Sequence, residues 1–224
     1  MRLPLLLKAY KTLRKGWKKM TPEAQKALRS YVKSQKKGLG YMNAGGMVEP
    51  YYTQFGVVLE AVLSPWKIPF TPINLKVTES LQKEDIYGEF FRFIGKELKL
   101  RRPKRINIKM SESKSTNAVC CILSMQHQIG KPKDNALVEW LKARQDATGG
   151  FYASEVAPVP DLLTTAVGLF TMNLIGEKAG DATDFINAHW LDNGAFAPTI
   201  LDEYSDVEYV FYGLLALGSN SNEH

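Results

Sequence analysis

Apolar residues recur at helical spacing along much of the chain. In residues 24–36 the apolar set is Ala27, Leu28, Tyr31 and Val32, and in 136–144 it is Leu137, Val138, Trp140 and Leu141. Each set follows a 3.6-residue period, which predicts an amphipathic helix. Two later stretches, Leu162 to Ile175 and Val207 to Leu217, are apolar on most faces. A helix of that kind packs in an interior. The opening segment has a third pattern. Leu3, Leu6, Tyr10, Leu13, Trp17 and Met20 form one stripe, with Lys8, Lys11, Arg14, Lys15, Lys18 and Lys19 largely opposite it, so residues 1–20 read as a basic amphipathic helix.

The amphipathic and apolar helices are joined by copies of one template. The first copy runs Gln35-Lys36-Lys37-Gly38-Leu39-Gly40-Tyr41, then Glu49 and Gly56. The second runs Gln145-Asp146-Ala147-Thr148-Gly149-Gly150-Phe151, then Asp161 and Gly168. The third has Trp190 in the Gln position, then Asn193-Gly194-Ala195-Phe196, Asp206 and Gly213. The aromatic always follows the Gln or Trp by six residues, and the Gly always follows the acid by seven. Register kept on both sides of a variable loop marks a repeat architecture. Each copy reads as helix, tight Gly turn, loop, and an acid that caps a second, buried helix. The Gly at plus seven is read as a place where a neighbouring helix approaches. A fourth, eroded copy aligns Lys114 to Met125 with Asp161 to Met172, with Lys in the acid position and Cys121 in the Gly position.

These residues resemble the repeats of protein prenyltransferase beta subunits and, more distantly, of squalene and oxidosqualene cyclases. Phe151 and Phe196 in the turn, where cyclases carry Trp, lean toward the prenyltransferase side. The resemblance covers most of residues 21–218. It implies an all-α fold, an α/α toroid whose inner helices follow Glu49, Lys114, Asp161 and Asp206 and ring an apolar cavity. The expected organisation is an N-terminal helix at 1–20, one toroid domain of about four hairpins at 21–218 and a tail at 219–224, with the ring open, closed with few helices, or completed by a partner.

At 224 residues and 45% hydrophobic the chain can bury a large core, with no stretch of transmembrane length and no signal-peptide core in its first residues. Cys120 and Cys121 are adjacent and offer no disulfide framework, which favours a cytoplasmic protein, with a peripheral membrane location as the variant. Residues 1–144 carry 28 Lys/Arg against 11 Asp/Glu, whereas residues 145–224 carry one Lys against 12 acids. The basic charge gathers in the first 37 residues and in 96–109. Residues 1–20 suit an anionic membrane surface, the competing reading being that their apolar stripe packs on the toroid. Nucleic acid is disfavoured because no reading module accompanies the charge. The unlike halves also suit head-to-tail pairing of copies.

Candidate chemistry is sparse. The resemblance implies a zinc site built from the helix-opening Asp, a Cys two residues on and a His at plus three in a later copy. Here Leu163 and Glu208 stand at plus two, and Tyr52, Thr164 and Tyr209 at plus three, so no metal is assigned. Cys120, Cys121 and His127 are a poor substitute, since adjacent helical residues point about 100° apart. The acidic cyclase motif is missing. Asp202-Glu203-Tyr204-Ser205-Asp206 has the outline of a magnesium-diphosphate motif, and a terpenoid-class transferase or cyclase using Asp161, Asp202 and Asp206 with magnesium is the catalytic alternative. The candidate cavity lining is Tyr51, Tyr52, Phe55, Thr164, Thr165, Phe170, Tyr209, Phe211 and Tyr212, which suits an isoprenoid or lipid chain. The expected function is therefore binding of such a ligand, or of a partner in isoprenoid or lipid metabolism, without zinc-dependent transfer. A non-catalytic interaction scaffold is the second alternative.

Overall fold

A computed structural model describes residues 3–64, 86–98 and 115–220. Among them lie nine helices: α1 Leu5–Lys19, α2 Pro22–Ser34, α3 Pro50–Leu63, α4 Ile86–Leu98, α5 Thr116–Ile129, α6 Asn135–Lys142, α7 Leu162–Ile175, α8 Thr183–Ala188 and α9 Val207–Ser219. The strands among the described residues are β1 Lys36–Lys37 and β2 Gly40–Tyr41, a single antiparallel turn. The protein is all-α. Lys114 and the basic residues 99–109 lie outside the described residues.

Local chemistry sets the helix ends. Thr21 and Ser115 cap α2 and α5 by accepting from Ala24 N at 3.3 Å and Ala118 N at 3.2 Å, and Asp134 caps α6 through Ala136 N and Leu137 N. Gly130 and Gly176 end α5 and α7 at φ 78° and 74°, the left-handed conformation only Gly adopts cheaply. In the template turns, Gln145 pairs with Phe151 and Trp190 with Phe196. Gly149 and Gly194 supply the positive φ there, at 88° and 89°. The first copy has Leu39 at that position, so the left-handed turn moves back to Gly38 and the pairing becomes Lys36 with Tyr41.

The acids at 49, 161 and 206 each stand immediately before a helix, α3, α7 and α9. The plus-seven glycines have a different role from the one expected. Gly56, Gly168 and Gly213 face the ring of their own turn's aromatic, Tyr41, Phe151 and Phe196, rather than a neighbouring helix. All three rings are fully buried. The template therefore works as a lock: the turn folds back, and its aromatic occupies the notch that a missing Cβ leaves in the following helix. The eroded copy is also shifted by one residue. Ser115, not position 114, matches Asp161 as cap of a 14-residue helix, which puts Ile122 where the others have Gly.

The long inner helices pack in the order α3, α9, α7, α5, with α4 against α5. Adjacent copies are tied at their starts, since Thr116 N donates to Ala153 O and Leu162 N to Pro198 O, both at 2.9 Å. The Gly149 turn of the second copy sits on the backbone of Asp181 and Ala182, just before α8 of the third. The Gly194 turn of the third copy sits in the same way on Ala27 in α2 of the first.

Helix α1 crosses the C-terminal ends of the inner helices. Arg14 donates to Val62 O at 2.6 Å, Tyr10 to Ala61 O at 3.3 Å and Lys19 to Asn220 O at 2.7 Å. From α2, Arg29 donates to Leu63 O at 2.9 Å. These cations meet the carbonyls that helix ends leave without an intrahelical partner, at the negative pole of the dipole. Glu97 in turn accepts from Leu5 N at 2.9 Å at the start of α1. Leu13 and Trp17 of the apolar stripe are buried and Leu3, Leu6, Tyr10 and Met20 are half-buried, so much of the stripe packs on the body; Lys11, Lys15 and Lys18 remain exposed. No helix among the described residues is long and apolar enough to cross a membrane.

Candidate functional site

The N-terminal ends of the inner helices gather carboxylates. Asp161 accepts from Thr164 N at 2.8 Å, and Asp206 from Glu208 N at 2.8 Å and Tyr209 N at 3.3 Å. Glu49 makes no such cap and accepts from Asn43 Nδ2 at 2.5 Å. Burial pushes the Asp161 and Asp206 carboxyls above the usual range, against the backbone amides that hold their charged forms. Asp202 clasps its own loop, accepting from Thr199 N at 3.1 Å and Thr199 Oγ1 at 2.7 Å. The three acids of the catalytic alternative are thus two helix caps and one turn clasp. Among the described residues no three His, Cys, Asp or Glu side chains come together as metal ligands would.

Beside Asp206, Glu208 opens the first turn of α9 and is only 8% exposed. It accepts from the Tyr51 hydroxyl of α3 at 2.7 Å, joining the first inner helix to the last. Burial raises the Glu208 carboxyl and the neighbouring Asp206 charge adds to this, while the Tyr51 bond opposes it. Sequence reasoning met Glu208 only as a position lacking a zinc ligand. Its signal was the lone acid inside the helix Val207–Ser219, since a charge in a segment otherwise fit for burial is the informative exception.

Around this bond runs a belt of aromatic rings. Tyr51 stands edge-on to Tyr52 and to Phe55, both at 5.2 Å between centroids. Phe55 continues to Phe211 at 5.2 Å and Tyr212 at 6.0 Å, which lie 5.4 Å from each other. Apart from Tyr51, which is 38% exposed, these rings are half-buried, so faces remain open. Burial pushes the Tyr212 phenol up, and the charges of Glu208 and Asp161 and the thiol of Cys121 act on it too. Tyr209 is half-buried beside it, its phenol likewise raised by burial.

Thr164 and Thr165 are buried, and Thr165 Oγ1 accepts from Phe151 N at 2.8 Å, a scaffold role. Phe170 lines a groove of about 480 Å³ between α1 and the C-terminal ends of α7 and α9, with Lys8, Thr12 and Lys15, away from the belt. Burial raises the Cys120 thiol to about 12, which leaves it protonated and inert. His189 is fully buried: Nδ1 lies 2.8 Å from Phe185 O, and Nε2 has no partner among the described residues. The loops leading into the inner helices expose Met47, Val48, Val156, Ile200, Leu201 and Tyr204.

A scan against protein-family models finds no match to this chain, and a search of curated proteins finds none either.

Proposed function

We propose that the protein is a prenyltransferase-like α/α toroid that binds a long apolar ligand, an isoprenoid or lipid chain, without zinc-dependent transfer chemistry. The observation that carries this reading is the half-open belt Tyr51, Tyr52, Phe55, Phe211 and Tyr212, which joins the first inner helix to the last. Aromatic walls with few polar groups favour an apolar body. The ring arrangement is supported by the third copy docking on the first in the way the second docks on the third. Binding is favoured over catalysis because Asp161 and Asp206 serve as caps and Asp202 holds a turn. We place the protein in the cytoplasm or at a membrane periphery.

The test is mass spectrometry of an organic extract of the purified full chain, with titration by prenyl and straight-chain alcohols. Saturable binding that weakens on Phe55→Ala and Phe211→Ala supports the reading. No co-purifying apolar molecule and no binding at any chain length would end it. The scaffold reading draws on the exposed Met47, Val156, Ile200 and Leu201, which a protein partner would cover.

A further inference from the structure

We infer that the site at the start of the inner helices is built for an amphiphilic organic cation, an apolar body carrying an ammonium-type head, with Glu208 as the counter-charge. This rests on the reading of the belt as an apolar-ligand site and names the ligand class.

The Glu208 carboxylate is the starting point. It is more than nine-tenths buried, and among the described residues its hydrogen-bond partner is one neutral phenol, Tyr51 at 2.7 Å. No Lys, Arg or His forms an ion pair with it among the described residues. A buried carboxyl is stabilised by a proton, by a full set of donors or by a cation, and with one phenol as its donor Glu208 has room for the last of these. The five rings of the belt supply the second element. Aromatic faces attract a cation through their quadrupoles, and tightly so when the site is shielded from water. Tyr51 joins the two, bonding the carboxylate while standing edge-on to Tyr52 and Phe55.

Charge over the surrounding chain agrees. The segments that build this end, 38–64, 145–177 and 179–220, contain no Lys or Arg at all, although the chain as a whole carries 29. A diphosphate or carboxylate head would meet Glu208, Asp206 and Asp161 with no basic residue from these segments to offset them. A neutral ligand would leave Glu208 as it is, and a cationic head would complete it. The exposed Met47, Val48, Val156, Ile200 and Leu201 on the same loops offer apolar surface to the rest of such a molecule.

The experiment is calorimetric titration of the full chain at neutral pH with three probes of equal chain length, decyltrimethylammonium, 1-decanol and decanoate, all below micelle formation. Decyltrimethylammonium is expected to bind at least about tenfold tighter than decanol, a factor well within reach of cation–aromatic and charge pairing together, with decanoate weakest. Glu208→Gln is expected to abolish that preference, so that decyltrimethylammonium and decanol bind within about threefold of each other. Tyr51→Phe, which removes the phenol donor and keeps the ring, is expected to retain the preference, and serves as the second variant should Glu208→Gln not fold. Equal binding of decanol and decyltrimethylammonium, a preference for decanoate, or an unaltered preference in Glu208→Gln overturns the inference while leaving the apolar site standing. Binding of none of the three overturns both.

Discussion

The crossing of α1 and α9 makes a quantitative prediction. Gly16 of α1 and Gly218 of α9 face each other where the helices cross, and an added Cβ on Gly218 would overlap the Thr12 carbonyl oxygen and lie 2.9 Å from Gly16 N. Both opposing atoms are backbone, so no side-chain rotation relieves the overlap. Overpacking costs about 1–3 kcal/mol when side chains can yield, and the upper end applies here. Helix propensity returns at most about 1 kcal/mol on Gly→Ala, leaving a net loss of about 2–3 kcal/mol. Detaching α1 is no escape, because Leu13 and Trp17 are buried against the body, and exposing each forfeits about 1.5–3 kcal/mol. Gly168 sets the middle of the scale. A Cβ there would meet the Phe151 ring at 3.0 Å, a contact a small ring shift relieves, so the loss is about 1 kcal/mol or less. Gly95 sets the other end, with nothing among the described residues within 4 Å of its Cβ position in the interior of α4; Ala there should stabilise by about 0.5–1 kcal/mol. Urea unfolding followed by tryptophan fluorescence should rank the variants Gly218→Ala, Gly168→Ala, Gly95→Ala from least to most stable at constant m-value. A Gly218→Ala protein within about 0.5 kcal/mol of the parent would refute the backbone-clash argument.

Three further outcomes follow from the caps, the buried histidine and the metal reading. Asp206→Ala, which removes the cap from Glu208 N and Tyr209 N, should cost about 1 kcal/mol, whereas Glu49→Ala should cost less because Glu49 makes no side-chain cap bond; equal losses in urea melts would contradict this. Burial holds the His189 imidazole below its ordinary value, with the Phe185 carbonyl and the Asp161 and Asp202 charges opposing. The unfolded chain therefore takes up a proton below about pH 6.5 that the folded chain resists, so this contribution is complete above that pH and is lost as pH falls toward the folded value. The fall in Tm between pH 7 and pH 5 should be shallower in His189→Asn, and an unchanged slope would exclude His189 as its source. Protein purified without added zinc should contain less than stoichiometric zinc by elemental analysis, and a full equivalent lost on Asp161→Ala would reverse the metal reading.

Much of the scaffold could be read from periodicity and the template, because both are local. Asp161 and Asp206 cap their helices since a cap needs only the next three residues of the chain, and Glu49 precedes its helix without capping it. The partner of the plus-seven Gly was misjudged because the notch over Gly56, Gly168 and Gly213 is filled from across a variable loop. The aromatics of the belt were named, yet Phe170 falls elsewhere, since alternate faces of a helix that is apolar all round look alike in sequence. Glu208 escaped notice because its partner Tyr51 lies 157 residues away.

Helix α1 shows where the division lies. Its stripe and its opposing cations follow from the order of residues alone, and that order fits a bilayer surface and a protein surface equally. Its docking on the rest of the chain depends on shape: Gly16 and Gly218 let two backbones touch, and the ends of α3 and α9 present carbonyls to Arg14 and Lys19. Helix period, cap and turn are set by interactions within a few residues, so the sequence determined them. Docking of α1, closeness of the first and last copies and burial of Glu208 against Tyr51 depend on contacts between distant segments, and only the tertiary structure could decide those.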